Sequence, residues 1–290
     1  MEDHPTANVP PASLSSQLHL ICSAALSYQA AGRSTVPTAR GRKSPSIYHP
    51  TTGEVIEIAW RPYQDTPATE EELRQWFAVD HPMGLGIVAG PVSGTTLDDG
   101  TQTALEFIDF DELATFEGFG ELLIARGHGD LLAQLPQERT PKPGAHLGYL
   151  CSEWAGNTKL AQRKIGTKPD GGDEIVTLIE TRGQGGQCVV APTPPGIHPD
   201  HPERGYVMVH GTWAEIPVIT PEAREALWEC AKALNEYVPH EATHRDARGQ
   251  STHDAQSPGA QYNARVSRDE VIAILEKHGW SLINGASFLD

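Results

Sequence analysis

Apolar positions along this chain recur with two periods, and the changes between them outline a mixed set of helices and strands. Leu18, Ile21, Ala25 and Tyr28 fall at helical spacing within Leu14–Ala31, and Gly32 closes that stretch. Thr69 followed three residues later by Glu72 is a capping box heading a second helix. A strand is predicted over Leu85–Ala89, before the turn G-P-V-S-G, and another over Leu105–Asp111. An apolar helix across Gly120–Leu135 and a strand over Ala145–Leu150 follow. Ile175–Thr181 and Gln187–Ala191 are expected to form a hairpin closed by R-G-Q-G-G. Pro221–Tyr237 reads as a helix with proline at its first position. The pattern has no internal repeat and no regular alternation of strand and helix, so the fold class is α+β. Residues 1–13 are expected to be disordered, 14–238 to form the main domain, and 239–262 to be a polar linker. Residues 263–290, with a helix over Val266–Trp280, begin an incomplete C-terminal module.

Composition narrows this picture. The 290 residues contain no apolar run of about 18, so no membrane partner is expected. The N-terminus lacks the basic-then-apolar pattern of a secretory signal. Cys22, Cys151, Cys188 and Cys230 stand apart, with neither CxxC spacing nor a disulfide framework, which predicts a reducing cytoplasm and no structural zinc. The net charge of −16 opposes nucleic acid at face value, but it is unevenly spread. Thr95–Glu121 holds eight acidic residues and no Lys or Arg, whereas Arg139–Lys168 holds six basic residues against Glu153 alone. Arg33, Arg40, Arg42 and Lys43 form a smaller basic cluster. Local fields guide a ligand more than the global sum does.

Three segments carry chemistry. In L-E-F-I-D-F-D-E-L, strand alternation puts Asp109 and Asp111 on one face and anchors Ile108 and Phe110 on the other. Two carboxylates so close suit a hard divalent cation, or else form a solvated strand end. In T-L-I-E-T-R-G-Q-G-G-Q-C, Glu180 and Arg182 share a strand face. The glycines Gly183, Gly185 and Gly186 then allow backbone N–H groups to approach a phosphate, or simply make a tight turn with a surface ion pair. His146, in K-P-G-A-H-L-G-Y-L, sits in an apolar strand as a ligand contact or a structural histidine. His198, Asp200 and His201 in G-I-H-P-D-H-P read as a Pro-rich surface turn.

In order and spacing, these segments resemble the bifunctional DNA primase/polymerase domain of the archaeo-eukaryotic primase superfamily, in its phage and plasmid branch. The resemblance runs from about His19 to Tyr237. It includes A-A-L-S-Y-Q-A-A-G-R-S-T-V-P-T, G-R-K-S-P, G-L-G-I-V-A-G-P-V-S-G, F-I-D-F-D, G-A-H-L-G-Y-L and I-E-T-R-G-Q-G-G-Q-C-V-V-A-P. It implies a primase-like core of mixed and antiparallel sheets flanked by helices, with a C-terminal helical extension. It also implies Asp109, Asp111 and Glu180 as catalytic ligands of two Mg²⁺ or Mn²⁺ ions. His146, Arg182, Lys142, Gly185 and Gly186 become nucleotide contacts, while Lys43 matches a commonly basic position. The implied partners are a single-stranded DNA template, a primer, and dNTPs or NTPs, with Arg139–Lys168 as the candidate basic surface. The implied setting is phage- or plasmid-encoded replication in a bacterial cytoplasm. No Walker A motif occurs, so a helicase is expected in a continuation of the chain or in another chain. Two other readings suit the same residues: a metal-dependent nuclease, and a non-catalytic DNA-binding replication-initiation module.

Overall fold

The structure is a computed structural model describing residues 13–238 and two short strands near the C-terminus, Ser281–Ile283 and Ser287–Leu289. In the first unit, helix α1 (Leu14–Ala30) buries Leu18, Ile21, Ala25 and Tyr28, the four positions marked by periodicity. Helix α2 (Glu70–Phe77) begins at the Thr69–Glu72 capping box and buries Leu73 and Phe77. Both helices pack against a three-stranded antiparallel sheet. It is built from β1 (Thr35–Ala39), β4 (Met83–Val88) and β10 (Gln187–Val190), in the order β1-β4-β10. A small hairpin, β2 (Ser46–Tyr48) and β3 (Val55–Glu57), lies between β1 and α2 in the chain.

The second sheet has six antiparallel strands: β5 (Ala104–Phe110), β6 (Gln137–Thr140), β7 (Gly144–Cys151), β8 (Thr158–Thr167), β9 (Asp173–Arg182) and β11 (Val207–His210). Their order is β11-β6-β7-β5-β9-β8, which puts β5 in the middle. Helices α3 (Leu113–Ala125) and α5 (Pro221–Lys232) cover one face, and the short α4 (Gly129–Leu132) follows α3.

The alternation of β5 joins the two layers. Leu105 and Phe107 pack into the core shared with the three-stranded sheet, where Phe107 lies edge-on to Trp213 at 5.0 Å. Ile108 and Phe110 pack into the core under α3 and α5. Each fully buried side chain of this kind contributes about 1.5–3 kcal/mol. A one-residue slip would turn all four to the wrong layer, so the register is firmly set. Asp109 follows Phe107 on the face between the sheets, where the apolar core ends. β7 approaches closely here too: a Cβ on Gly148 would collide with the Trp213 ring, so only glycine fits.

Several expectations are corrected. β9 and β10 do not form a hairpin. Both edges of β9 are occupied, by β5 and β8, so after Arg182 the chain leaves this sheet and β10 pairs with β4. The crossing is tight. A Cβ on Gly183 would strike the Ala155 carbonyl, and Gly185 sits at φ +83°. The apolar helix predicted over Gly120–Leu135 starts earlier, at Leu113, and stops at Ala125 before Gly127 at φ +81°. β1, β6, β8 and β11 carried no strand prediction. β1 contains Pro37, acceptable on an edge strand, and the polar β6 and β8 lack a clean apolar alternation. The chain also divides into two units, residues 1–238 and 239–290. In the second, β12 (Ser281–Ile283) pairs antiparallel with β13 (Ser287–Leu289). The expected linker, the helix over Val266–Trp280 and the N-terminal residues before Ser13 lie outside the described residues.

The even face of β5 carries one charge into the helical core. Glu106 is fully buried and accepts hydrogen bonds from Arg224 (2.6 and 3.0 Å), Tyr149 Oη (2.8 Å) and the Ala155 amide (2.8 Å). Arg224 lies 4.0 Å above the Trp228 ring. Removing one partner of a buried pair strands the other, at about 3–5 kcal/mol. Glu106→Ala is therefore expected to lower unfolding free energy by that amount, read from the urea midpoint at unchanged slope.

Candidate active site

Directly paired residues on neighbouring strands point to the same face of a sheet. The register aligns Glu138 with His146, His146 with Asp109, Asp109 with Glu180, and Glu180 with Lys159. Five strands therefore contribute one charged or titratable side chain each to a single row, β6-β7-β5-β9-β8, with Asp109 at its centre.

Glu138 anchors the row. It is fully buried, and its Oε2 accepts from the Ala191 amide (2.7 Å) and Trp213 Nε1 (2.8 Å), while Oε1 meets His146 Nδ1 at 2.7 Å. His146 Nε2 faces Asp109 Oδ1 at 3.3 Å. Burial pushes the imidazole toward neutrality, but Asp109 and Glu138 on its two nitrogens outweigh that and raise its pKa to about 10. His146 is thus a cation with both N–H groups engaged. For Asp109 burial acts upward, and His146, Arg182 and Lys43 overcome it, holding the carboxyl below its usual range. Glu180 moves the other way. Burial and the charges of Asp109 and Asp111 raise its pKa against the opposing effect of Arg182.

Arg182 bridges Glu180, in a very close contact, and Asp109, at 3.8 Å. Asp111 lies just beyond β5, with its amide bonded to the Leu178 carbonyl (3.0 Å), and Lys142 Nζ reaches its Oδ1 at 3.0 Å. These groups line a cleft of about 650 Å³ between the two sheets. The opposite wall comes from β10 through Cys188 and Val189, from the turn after β1 through Lys43, and from His198, Asp200, His201 and Tyr206.

Asp109, Asp111, Glu180, His146, Arg182 and Lys142 thus share one cleft. Gly185 and Gly186 do not line it. The Gly186 amide bonds to the Gly183 carbonyl (2.9 Å), and the Gly183 amide to Asn157 Oδ1 (3.2 Å). The basic stretch from Arg139 to Lys168 is not one surface. Arg139 of β6 stacks on Phe116 of α3, Arg163 pairs with Glu112 (3.0 Å) and Glu236 (2.7 Å), and Lys164 pairs with Asp173. The expected surface turn at Gly196–His201 is instead a wall of the cleft, with His198 only 4% exposed. Glu138 carried no sequence signal. It lies in the polar run Q-E-R-T, and only a strand assignment there would have turned it inward.

The donor set suits a hard divalent cation: three carboxylates face one cleft, and the pKa of Glu180 is raised first by burial and then by the charges of Asp109 and Asp111. Among the described residues no three His, Cys, Asp or Glu side chains are gathered closely enough to hold a metal ion. Arg182 and Lys142 stand on these carboxylates as their counter-charges. Asp109, Asp111 and Glu180 are the cleft residues whose oxygens could hold a metal.

Residues 25–228 match the family of the bifunctional DNA primase/polymerase N-terminal domain (Prim-Pol), and the chain belongs to that family. This family places it among nucleotidyltransferases that act with nucleotides on DNA, generally in dependence on a divalent metal. No curated protein matches the chain. Among the described residues no helix is long and apolar enough to cross a membrane.

The charge on His146 gives a pH signature. Its folded pKa, about 10, lies above the ordinary 6.5, so its stabilisation is complete below the lower value and lost as pH rises through the higher one. Urea unfolding in a chelator is expected to show stability falling across this window by on the order of a few kcal/mol. His146→Gln should flatten that slope.

Proposed function

We propose that the domain spanning 14–238 is a template-dependent DNA primase/polymerase that joins nucleotides through Asp109, Asp111 and Glu180. The observation that carries this reading is the row in which Asp109 meets His146 on one side and Glu180 on the other, facing the cleft. The three carboxylates would hold Mg²⁺ or Mn²⁺, which when bound would supply charge neutralisation at the triphosphate and a more acidic primer hydroxyl. The chain's own residues do the rest. His146, fixed by Glu138, keeps Asp109 ionised, and its Nε2–H would have to be shared between that carboxylate and a phosphate oxygen beside it. Arg182, once released from Glu180, presents a guanidinium suited to bidentate phosphate binding, and Lys142 and Lys43 add ammonium groups at the cleft. The primer 3′-hydroxyl gives up its proton to solvent as its oxygen bonds to the α-phosphorus, the bond from that phosphorus to the α–β bridging oxygen breaks, and pyrophosphate leaves with that oxygen.

Labelled primer–template incubated with Mg²⁺ separates synthesis from cleavage. Extension that requires dNTPs is expected, and shortening of the primer without dNTPs would overturn the assignment in favour of a nuclease. Asp109→Asn and Asp111→Asn are each expected to lower extension about 10³-fold or more, the loss of several kcal/mol of transition-state stabilisation. Thermal unfolding of each variant verifies that the fold survives.

A further inference from the structure

The wall opposite the carboxylates holds a histidine that the row described above does not use. His198 is almost fully buried, yet its ring lines the cleft. Its Nδ1 accepts hydrogen bonds from the backbone amides of Asp200 and His201, both at 3.1 Å. Those amides can only donate, so Nδ1 carries the lone pair and the proton resides on Nε2. Among the described residues Nε2 has no hydrogen-bond partner. That N–H is not one of the fully buried polar atoms left without a partner among the described residues, so it is open to a ligand atom in the cleft.

Lys43 lies on the same support. The Gly41 amide binds the Ile197 carbonyl at 2.9 Å, tying the β1–β2 turn to the His198 loop, and Gln187 Nε2 holds the Lys43 carbonyl at 2.6 Å. Among the described residues Lys43 forms no ion pair within 4.0 Å, and its charge reaches both Asp109 and His198. Asp200 and His201 also border the cleft, and His201 faces Glu203 at 3.7 Å. A cation and a neutral donor therefore look across at Asp109, Asp111 and Glu180. A polyanion that reaches the carboxylates through a divalent cation would present its remaining oxygens to this wall.

We propose that His198 is a nucleotide-binding residue whose Nε2–H donates to the polyphosphate of the incoming nucleotide, with Lys43 as its charged companion. The proposal deepens the polymerase reading and rests on it. Burial, then Lys43 and His201, keep the ring neutral, with a pKa near 4 despite Asp200 and Glu203, so the donor is unchanged at any working pH.

His198→Asn separates this role from a structural one. The Asn Oδ1 can take the place of Nδ1 and keep the loop amides bonded, but nothing replaces Nε2–H. Titration of wild type and variant with inorganic tripolyphosphate in Mg²⁺ is expected to show Kd raised roughly tenfold, the scale of one hydrogen bond to a charged group. KM for dNTP should rise in parallel with kcat little changed. Lys43→Met, at an exposed position, is expected to weaken tripolyphosphate similarly. Wild-type affinity in a folded His198→Asn, or in Lys43→Met should the first variant not fold, overturns the proposal. Tripolyphosphate binding is read without turnover. A wild-type protein that binds it through His198 but never extends primers therefore overturns the polymerase assignment and not this one.

Discussion

A carboxylate in a protein interior must have its charge met by donors, and Glu138 meets that requirement in a way that organises the molecule. Three groups converge on it: the amide of Ala191, just after β10; the Trp213 indole; and His146 of β7. The first two draw the three-stranded layer and the inter-sheet core onto β6. The third passes the charge along the sheet. His146 is oriented by Glu138 through one nitrogen, and Asp109 on the other, with Glu138 behind it, keeps the ring cationic. A buried pair of this kind is weak evidence for net stability, since desolvation offsets much of the attraction. Its effect is on specificity. It fixes the ring plane of His146 and the ionisation state of the acid at the centre of the cleft.

The cleft exists because the chain changes sheets. β9 is hydrogen-bonded on both edges, and the segment Gly183–Gly186 carries the backbone past Ala155 to the other layer. The two sheets are packed through Leu105, Phe107 and Trp213 and separate where those side chains give way to Asp109. Acids therefore collect on one wall. The other wall, made by the β1–β2 turn, β10 and the Gly196–His201 loop, carries Lys43 and the neutral donor of His198.

The net charge of −16 belongs to the whole chain and does not describe the field inside this cleft. Much of the basic segment that looked available in sequence is matched in place: Arg163 by Glu112 and Glu236, Lys164 by Asp173, Lys142 by Asp111. Such exposed pairs add little stability. They leave Arg163 and Lys164 already matched, whereas Lys142 and its partner Asp111 both face the cleft. Cations near the carboxylates matter more than the sum, because field strength falls quickly in salt.

The amino-acid sequence determined the elements whose signals are local. The apolar stripe of α1, the Thr69 capping box and the alternation of β5 need only neighbours a few residues away, and each was legible. The same alternation put Asp109 and Asp111 on one face, and the spacing of motifs carried the family. The tertiary structure decided what depends on residues distant in the chain. Glu138, Ala191 and Trp213 lie up to 75 positions apart, and nothing in a polar tetrapeptide announces a buried anchor. The partner of β10 depended on whether the edges of β9 were already taken. His198 looked like part of a surface turn because proline, histidine and aspartate are turn residues, and only the packing of β1 and β10 beside it turned its ring into the cleft. For Asp109 and Asp111 the sequence determined the pair of carboxylates and the shared face. The register of five strands, a long-range property, decided that Asp109 stands between a cation and a second acid.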